Sequence, residues 1–134
     1  MRLLIPGNIV LLLLLVFISF QSFGQDNDEK YQSTITLGDQ YFNAEDYLNA
    51  KASYQYASKL KPEEQYPKDR LRESMQLLRV QIEKKADYKS KLKLADELFD
   101  YGSYDKAIEV YNEALKILPG EQYPKDQVTR CNNM

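Results

Sequence analysis

Beyond residue 30, apolar side chains recur every three to five positions, with polar residues filling the intervals. Leu37, Tyr41 and Phe42 form one such set, and a polar break follows at Asn43 to Asp46. Tyr47, Ala50, Tyr54, Ala57 and Leu60 then repeat at three and four, the period of a helix with one buried stripe. Pro62 ends that stripe, because proline lacks a backbone donor and disfavours helix in the residue before it. Leu71, Met75, Leu78 and Ile82 repeat at four, three and four, predicting a helix with one apolar face. Leu94, Leu98 and Phe99 come next, then a break at Tyr101-Gly102-Ser103, where Gly102 suits the left-handed geometry of a helix end. Tyr104, Ala107, Ile108, Tyr111, Ala114 and Leu115 close the pattern before Pro119-Gly120. The pattern predicts an all-α fold built from antiparallel helix pairs.

The two halves of the pattern are copies of each other. The hexapeptide Glu64-Gln65-Tyr66-Pro67-Lys68-Asp69 recurs letter for letter at Glu121 to Asp126, an offset of 57 residues. In that single register, 17 of the 47 positions from 31–77 are identical to 88–134, too many for coincidence. The matched positions include Leu37 with Leu94, Asp39 with Asp96, Phe42 with Phe99, Ala50 with Ala107 and Tyr54 with Tyr111. Small residues at Ala50, Ala57, Ala107 and Ala114 fall where two helices must approach closely.

These residues resemble the tetratricopeptide repeat, a helix–turn–helix unit of about 34 residues. Leu37-Gly38, Tyr41, Tyr47, Ala50, Tyr54, Ala57 and Pro62 stand at the family's spacing in the first copy. Leu94-Ala95, Leu98, Tyr104, Ala107, Tyr111, Ala114 and Pro119 do so in the second. The family's early aromatic is absent from both, where Thr34 and Lys91 stand. The resemblance covers 31–64 and 88–121 and implies a fragment of an α-solenoid, two helix pairs joined by a long helix.

The 57-residue offset exceeds the family period, so a connector, 65–87, is added between the copies. Pro67 suits its first turn and Asp69 complements the helix dipole there. With no Gly or Pro from Lys68 to Asp87, it is expected to run into the first helix of the second copy, as one long helix or with a gentle kink. A break at Glu83 to Asp87, where the apolar phase fades, is the alternative. Residues 122–134 repeat only the start of the connector, with Asp126 to Arg130 forming a turn or so, and are expected to fray. Such solenoids need about three stacked repeats. Two units and a fragment therefore point to dimerisation, a partner, or a truncated relative of a longer array.

The N-terminal segment changes the picture of where the chain works. Residues 9–20 are apolar except for Ser19, and Arg2 is the one charge before residue 25. Twelve helical residues span about 18 Å against a bilayer core of about 30 Å. With Ser22 and Gly24 before the expected cleavage point, 1–24 reads as a secretory signal peptide, and 25–30 as a polar linker. An uncleaved membrane anchor over 3–23 is the alternative. Export predicts a periplasmic or secreted protein. Removing 24 of the 134 residues leaves 110, one small domain's worth, with 17 basic and 20 acidic side chains.

Composition narrows the chemistry. The chain has no His and one Cys, so the commonest acid/base, the commonest zinc nitrogen and an internal disulfide are all missing. No phosphate loop, metal-spaced cluster or nucleophile triad can be assembled, so the reading is non-enzymatic with no cofactor, metal or catalytic residue. The acidic balance argues against nucleic acid as a partner. Lys84, Lys85, Lys89, Lys91 and Lys93 are interleaved with Glu83, Asp87, Asp96 and Glu97, the mark of a solvated face. The eleven tyrosines mostly occupy repeated positions and read as core, with Tyr66 and Tyr123 folded back on the preceding helix pair.

Partner binding remains. The resemblance implies a groove lined by the first helix of each pair, here Gln32, Ile35, Asp39, Phe42 and Asn43, then Lys89, Leu92, Asp96, Phe99 and Asp100. Ile35 and Leu92 replace the lysine, and Asp39 and Asp96 the asparagine, with which the family clamps a terminal carboxylate. A mixed apolar and acidic groove suits a basic or amphipathic protein segment instead. Homodimerisation through the long amphipathic helix is the alternative.

Overall fold

A computed structural model describes residues 26–134. The segment 1–24 read as a signal peptide, and the alternative anchor over 3–23, lie outside the described residues. Five helices make up the described chain: α1 over 26–43, α2 Tyr47–Leu60, α3 Tyr66–Asp100, α4 Tyr104–Ile117 and α5 Gln122–Asn132. The described residues contain no strand, and the fold class is all-α. None of these helices is long and apolar enough to cross a membrane.

The chain divides into two compact units at Gln76/Leu77. Unit 1 holds α1, α2 and the start of α3; unit 2 holds the rest of α3 with α4 and α5. In unit 1, Phe42 meets Tyr47, Asp39 meets Tyr54, and Asp28 meets Lys61. Contacts that recede along α1 as they advance along α2 make the pair antiparallel. In unit 2, Phe99 meets Tyr104 and Asp96 meets Tyr111, so the end of α3 and α4 repeat the arrangement. Tyr123 lies on Tyr111, while Cys131 joins the cluster of Ala107 and Tyr111, so α5 runs back along α4.

The same local devices close both turns. Asp46 N–H donates to the Tyr41 carbonyl and Glu45 N–H to that of Phe42, tying off the end of α1. Ser103 to Leu98 and Gly102 to Phe99 do so at the end of α3. This cap requires a left-handed residue, Glu45 (φ 58°) in unit 1 and Gly102 (φ 74°) in unit 2. Asp46 then caps α2 through its side chain, which accepts from the Asn49 N–H at 3.2 Å. Close helix contact comes from small residues: Ala50 and Ala57 in unit 1, and Ala95, Ala107 and Ala114 in unit 2, are fully buried. At Gly38 a Cβ would lie 2.8 Å from the Tyr54 ring, so α1 sits against α2 more tightly than a side chain there allows without a shift.

Three expectations are corrected. Residues 26–30, read as a linker, are helical and extend α1, held by Lys30–Asp26 at 2.6 Å and by Lys61–Asp28 at 2.8 Å. The C-terminal segment is more than the turn or so expected: α5 is formed from Gln122 through Asn132, with Pro124, Gln127 and Cys131 buried. Burial of that face, which one turn of α-helix alone lacks, is what holds it. The connector's inward face is also rotated from the apolar stripe. Pro67 and Ser74 are buried, whereas Met75 and Ile82 are exposed. The buried Ser74 hydroxyl donates to the Arg70 carbonyl at 2.8 Å, which satisfies it within its own helix. Of the open alternatives for α3, the continuous helix is observed, and it passes without interruption through the exposed positions 82–87.

Candidate functional site

Each unit is organised around one carboxylate. In unit 1, Asp39 on α1 accepts from the Tyr54 hydroxyl of α2 at 2.6 Å and from the Tyr66 hydroxyl of α3 at 2.7 Å, both on Oδ1. In unit 2, Asp96 on α3 accepts from Tyr111 of α4 at 2.6 Å and Tyr123 of α5 at 2.8 Å, again on Oδ1. One oxygen thus fastens three helices in each unit. The paired rings meet edge to face at 6.4 Å in both. Charge-assisted bonds of this kind are the stronger class, and here a phenol supplies the proton while the carboxylate supplies the charge.

Burial and the neighbouring carboxylates push all four hydroxyls above the ordinary tyrosine pKa, furthest at Tyr54 and Tyr111, whose rings are fully buried. At Tyr54 the Arg70 guanidinium opposes that rise. These four groups therefore stay protonated donors throughout the physiological range.

The two hubs differ in one place. In unit 1, the Arg70 guanidinium lies 3.6 Å from the Phe42 ring centroid. Its Nε donates to the Tyr54 hydroxyl at 3.3 Å and stands 3.9 Å from Asp39. Glu73 fixes its other end at 2.6 Å. The repeat puts Gln127 where Arg70 stands and Arg130 where Glu73 stands. Arg130 donates to Gln127 at 3.2 Å and lies 4.8 Å from the Phe99 centroid. A cleft of about 320 Å³ opens there, lined by Asp96, Phe99, Asp100, Tyr111, Tyr123, Gln127 and Arg130.

The ten groove residues fall five in each unit. Gln32, Asn43, Lys89 and Asp100 are exposed, while Ile35, Phe42, Leu92 and Phe99 are half-buried. Asp39 and Asp96 are engaged by tyrosines, so each serves first as a helix fastener. In unit 1 Asp39 and Phe42 converge on Arg70; in unit 2 Asp96, Phe99 and Asp100 line the open cleft. The spacing alone did not reveal the Asp–Tyr–Tyr hubs. Their signal was the repeat itself, since all three residue types recur at the same offset (Asp39/Asp96, Tyr54/Tyr111, Tyr66/Tyr123). The arginine exchange was legible only as a mismatch within the matched register.

Cys131, left without a role by its sequence context, is buried against Ala95, Ala107 and Tyr111, and burial pushes its thiol above the ordinary pKa. It aligns with the buried Ser74 of unit 1, also a small side chain. No family model matches this sequence, and no curated protein matches it.

Proposed function

We propose that the chain is an exported, non-enzymatic scaffold of tetratricopeptide type that binds another protein outside the cytoplasm. The observation that carries this reading is the duplicated antiparallel helix pair, with alanines at its crossings and the family's spacing of Leu, Tyr, Ala and Pro. Helix pairs of this kind present the outer side of their first helix, and here Gln32 and Asn43 on α1, with Lys89 and Asp100 on α3, are solvent-exposed. The absence of His from the whole sequence favours binding over acid/base catalysis.

Affinity capture from envelope extract with the full chain tests this reading. Changing Gln32→Lys with Asn43→Lys leaves the hubs untouched, sets positive charge against a basic or amphipathic segment, and is expected to reduce recovery of a bona fide partner at least about tenfold, the loss of roughly 1.4 kcal/mol. Undiminished recovery sinks the surface assignment. For export, N-terminal sequencing of protein recovered outside the cytoplasm is expected to start at Gln25, and a start at Met1 favours the anchor.

A second reading is self-association through α3. It is favoured by Met75, Val80 and Ile82, which are 51%, 59% and 59% exposed on that helix. Sedimentation over a concentration series separates the two, since a concentration-dependent dimer abolished by Met75→Lys with Ile82→Lys, seven residues apart on one face, supports self-association.

A further inference from the structure

The geometry points to the Asp96 cleft as a receptor for an arginine side chain carried by a protein partner. The chain supplies its own precedent. In unit 1 the equivalent position beside the carboxylate is filled from within by Arg70, whose guanidinium contacts the Asp39 hub, the Tyr54 hydroxyl and the Phe42 ring together. In unit 2 the side chain at that position is Gln127, shorter and neutral, and the cleft of about 320 Å³ remains.

Charge favours the same occupant. Asp96 and Asp100 face the cleft against the single cation Arg130, and among the described residues no cation lies within 4.0 Å of Asp96, whereas Asp39 has Arg70 at 3.9 Å. Arg130 sits toward the face of Phe99 and bonds to Gln127, so it takes the ring. Asp96, bonded on Oδ1 by two neutral phenols, and Asp100 keep their charge unpaired among the described residues. An incoming guanidinium would pair with Asp96 and Asp100. Its planar fork matches two carboxylates in a way the point charge of lysine cannot. Arginine is therefore preferred over lysine.

This proposal deepens the scaffold reading, and rests on it only for the source of the side chain. The test uses N-acetyl-arginine methylamide, with its lysine counterpart as control, titrated into the full chain under ¹H–¹⁵N NMR. Saturable shifts confined to the surroundings of Asp96, Asp100 and Gln127 are expected, with the lysine probe weaker by roughly fivefold.

Gln127→Arg with Arg130→Glu transplants the Arg70–Glu73 pair and is expected to weaken binding at least about tenfold. Arg130→Glu alone adds negative charge without filling the cleft and is expected to tighten it. Arg70→Gln with Glu73→Arg should open the corresponding position in unit 1 and produce a second set of shifts around Asp39. The rim variant Asp100→Asn, which leaves the hub intact, is expected to weaken binding about threefold.

Absence of a saturable shift in unit 2, equal response to both probes, or unchanged binding after the transplant overturns the proposal. Capture of a partner that survives such a result keeps the scaffold and removes the cleft. Probe binding without any captured partner keeps the cleft and removes the scaffold.

Discussion

Units 1 and 2 fasten three helices with the same carboxylate and the same two phenols, yet one closes its hub with a cation and the other does not. The bond lengths at the shared residues agree within a few tenths of an ångström. The difference is three exchanged positions, Asn43/Asp100, Arg70/Gln127 and Glu73/Arg130, and the last two move the guanidinium from 3.6 to 4.8 Å from its phenylalanine. A duplicated helical unit can therefore hold its architecture through neutral-donor bonds to one oxygen, while the charge beside that oxygen is free to diverge. Architecture resides in the identical residues, and the local charge in the mismatched ones.

The largest effect is expected from removing a hub ring. Tyr54→Ala and Tyr111→Ala each empty a fully buried site and should cost about 3–5 kcal/mol in urea unfolding, the range for buried aromatics. If the hubs are equivalent in architecture, the two losses agree. Loss of structure in one variant alone would break the comparison.

Raising pH acts on all four hydroxyls together. Their pKa values are raised in the folded state, so the native chain holds protons that the unfolded chain releases near the ordinary tyrosine value of about 10. The stability they contribute is complete below that value and declines as pH climbs through the folded values. The urea midpoint is expected to fall steadily above about pH 10, and a replacement of Tyr54 and Tyr111 by Phe should flatten that fall. A midpoint that holds level there would contradict the hub's dependence on protonated phenols.

Single hydroxyl deletions sharpen the contrast between the units. Tyr54→Phe removes both a donor to Asp39 and the acceptor of Arg70, whereas Tyr111→Phe removes one donor to Asp96. Losses of about 2 and 1 kcal/mol respectively are expected, in that order. The reversed order would mean that Arg70 does not lean on the hub.

The smallest effect tests the turn. Glu45 carries a left-handed backbone that glycine adopts freely, as Gly102 does in unit 2. Glu45→Gly should raise stability by up to about 1 kcal/mol, while Gly102→Ala lowers it by a similar amount.

Much of this fold was legible because helical period and punctuation are local. Pro62, Gly102 and the polar break at Asn43 to Asp46 marked the ends of helices that the structure forms at Leu60, Asp100 and 43. The duplication also signalled that Tyr66 and Tyr123 return to the preceding pair, since a repeated connector implies a repeated contact. The inward face of α3 was not legible, because hydrophobicity marked Met75 while the buried positions are Pro67 and the polar Ser74. Nor could spacing foresee that α5 would be complete, since its stability comes from Gln127 and Cys131 settling on α4, a contact distant in sequence. The cleft lies where the shorter, neutral Gln127 stands in place of Arg70, a difference of side-chain length that hydrophobic spacing does not encode.

The central claim is that one guanidinium accounts for the difference between the two hubs. Hydrogen exchange of the α5 amides in Gln127→Arg with Arg130→Glu tests it most directly. The transplanted pair should close the cleft from within and stabilise unit 2 by about 1 kcal/mol, slowing exchange in α5 roughly fivefold. Exchange in α5 that is unchanged or faster, with the native fold retained, would contradict the account.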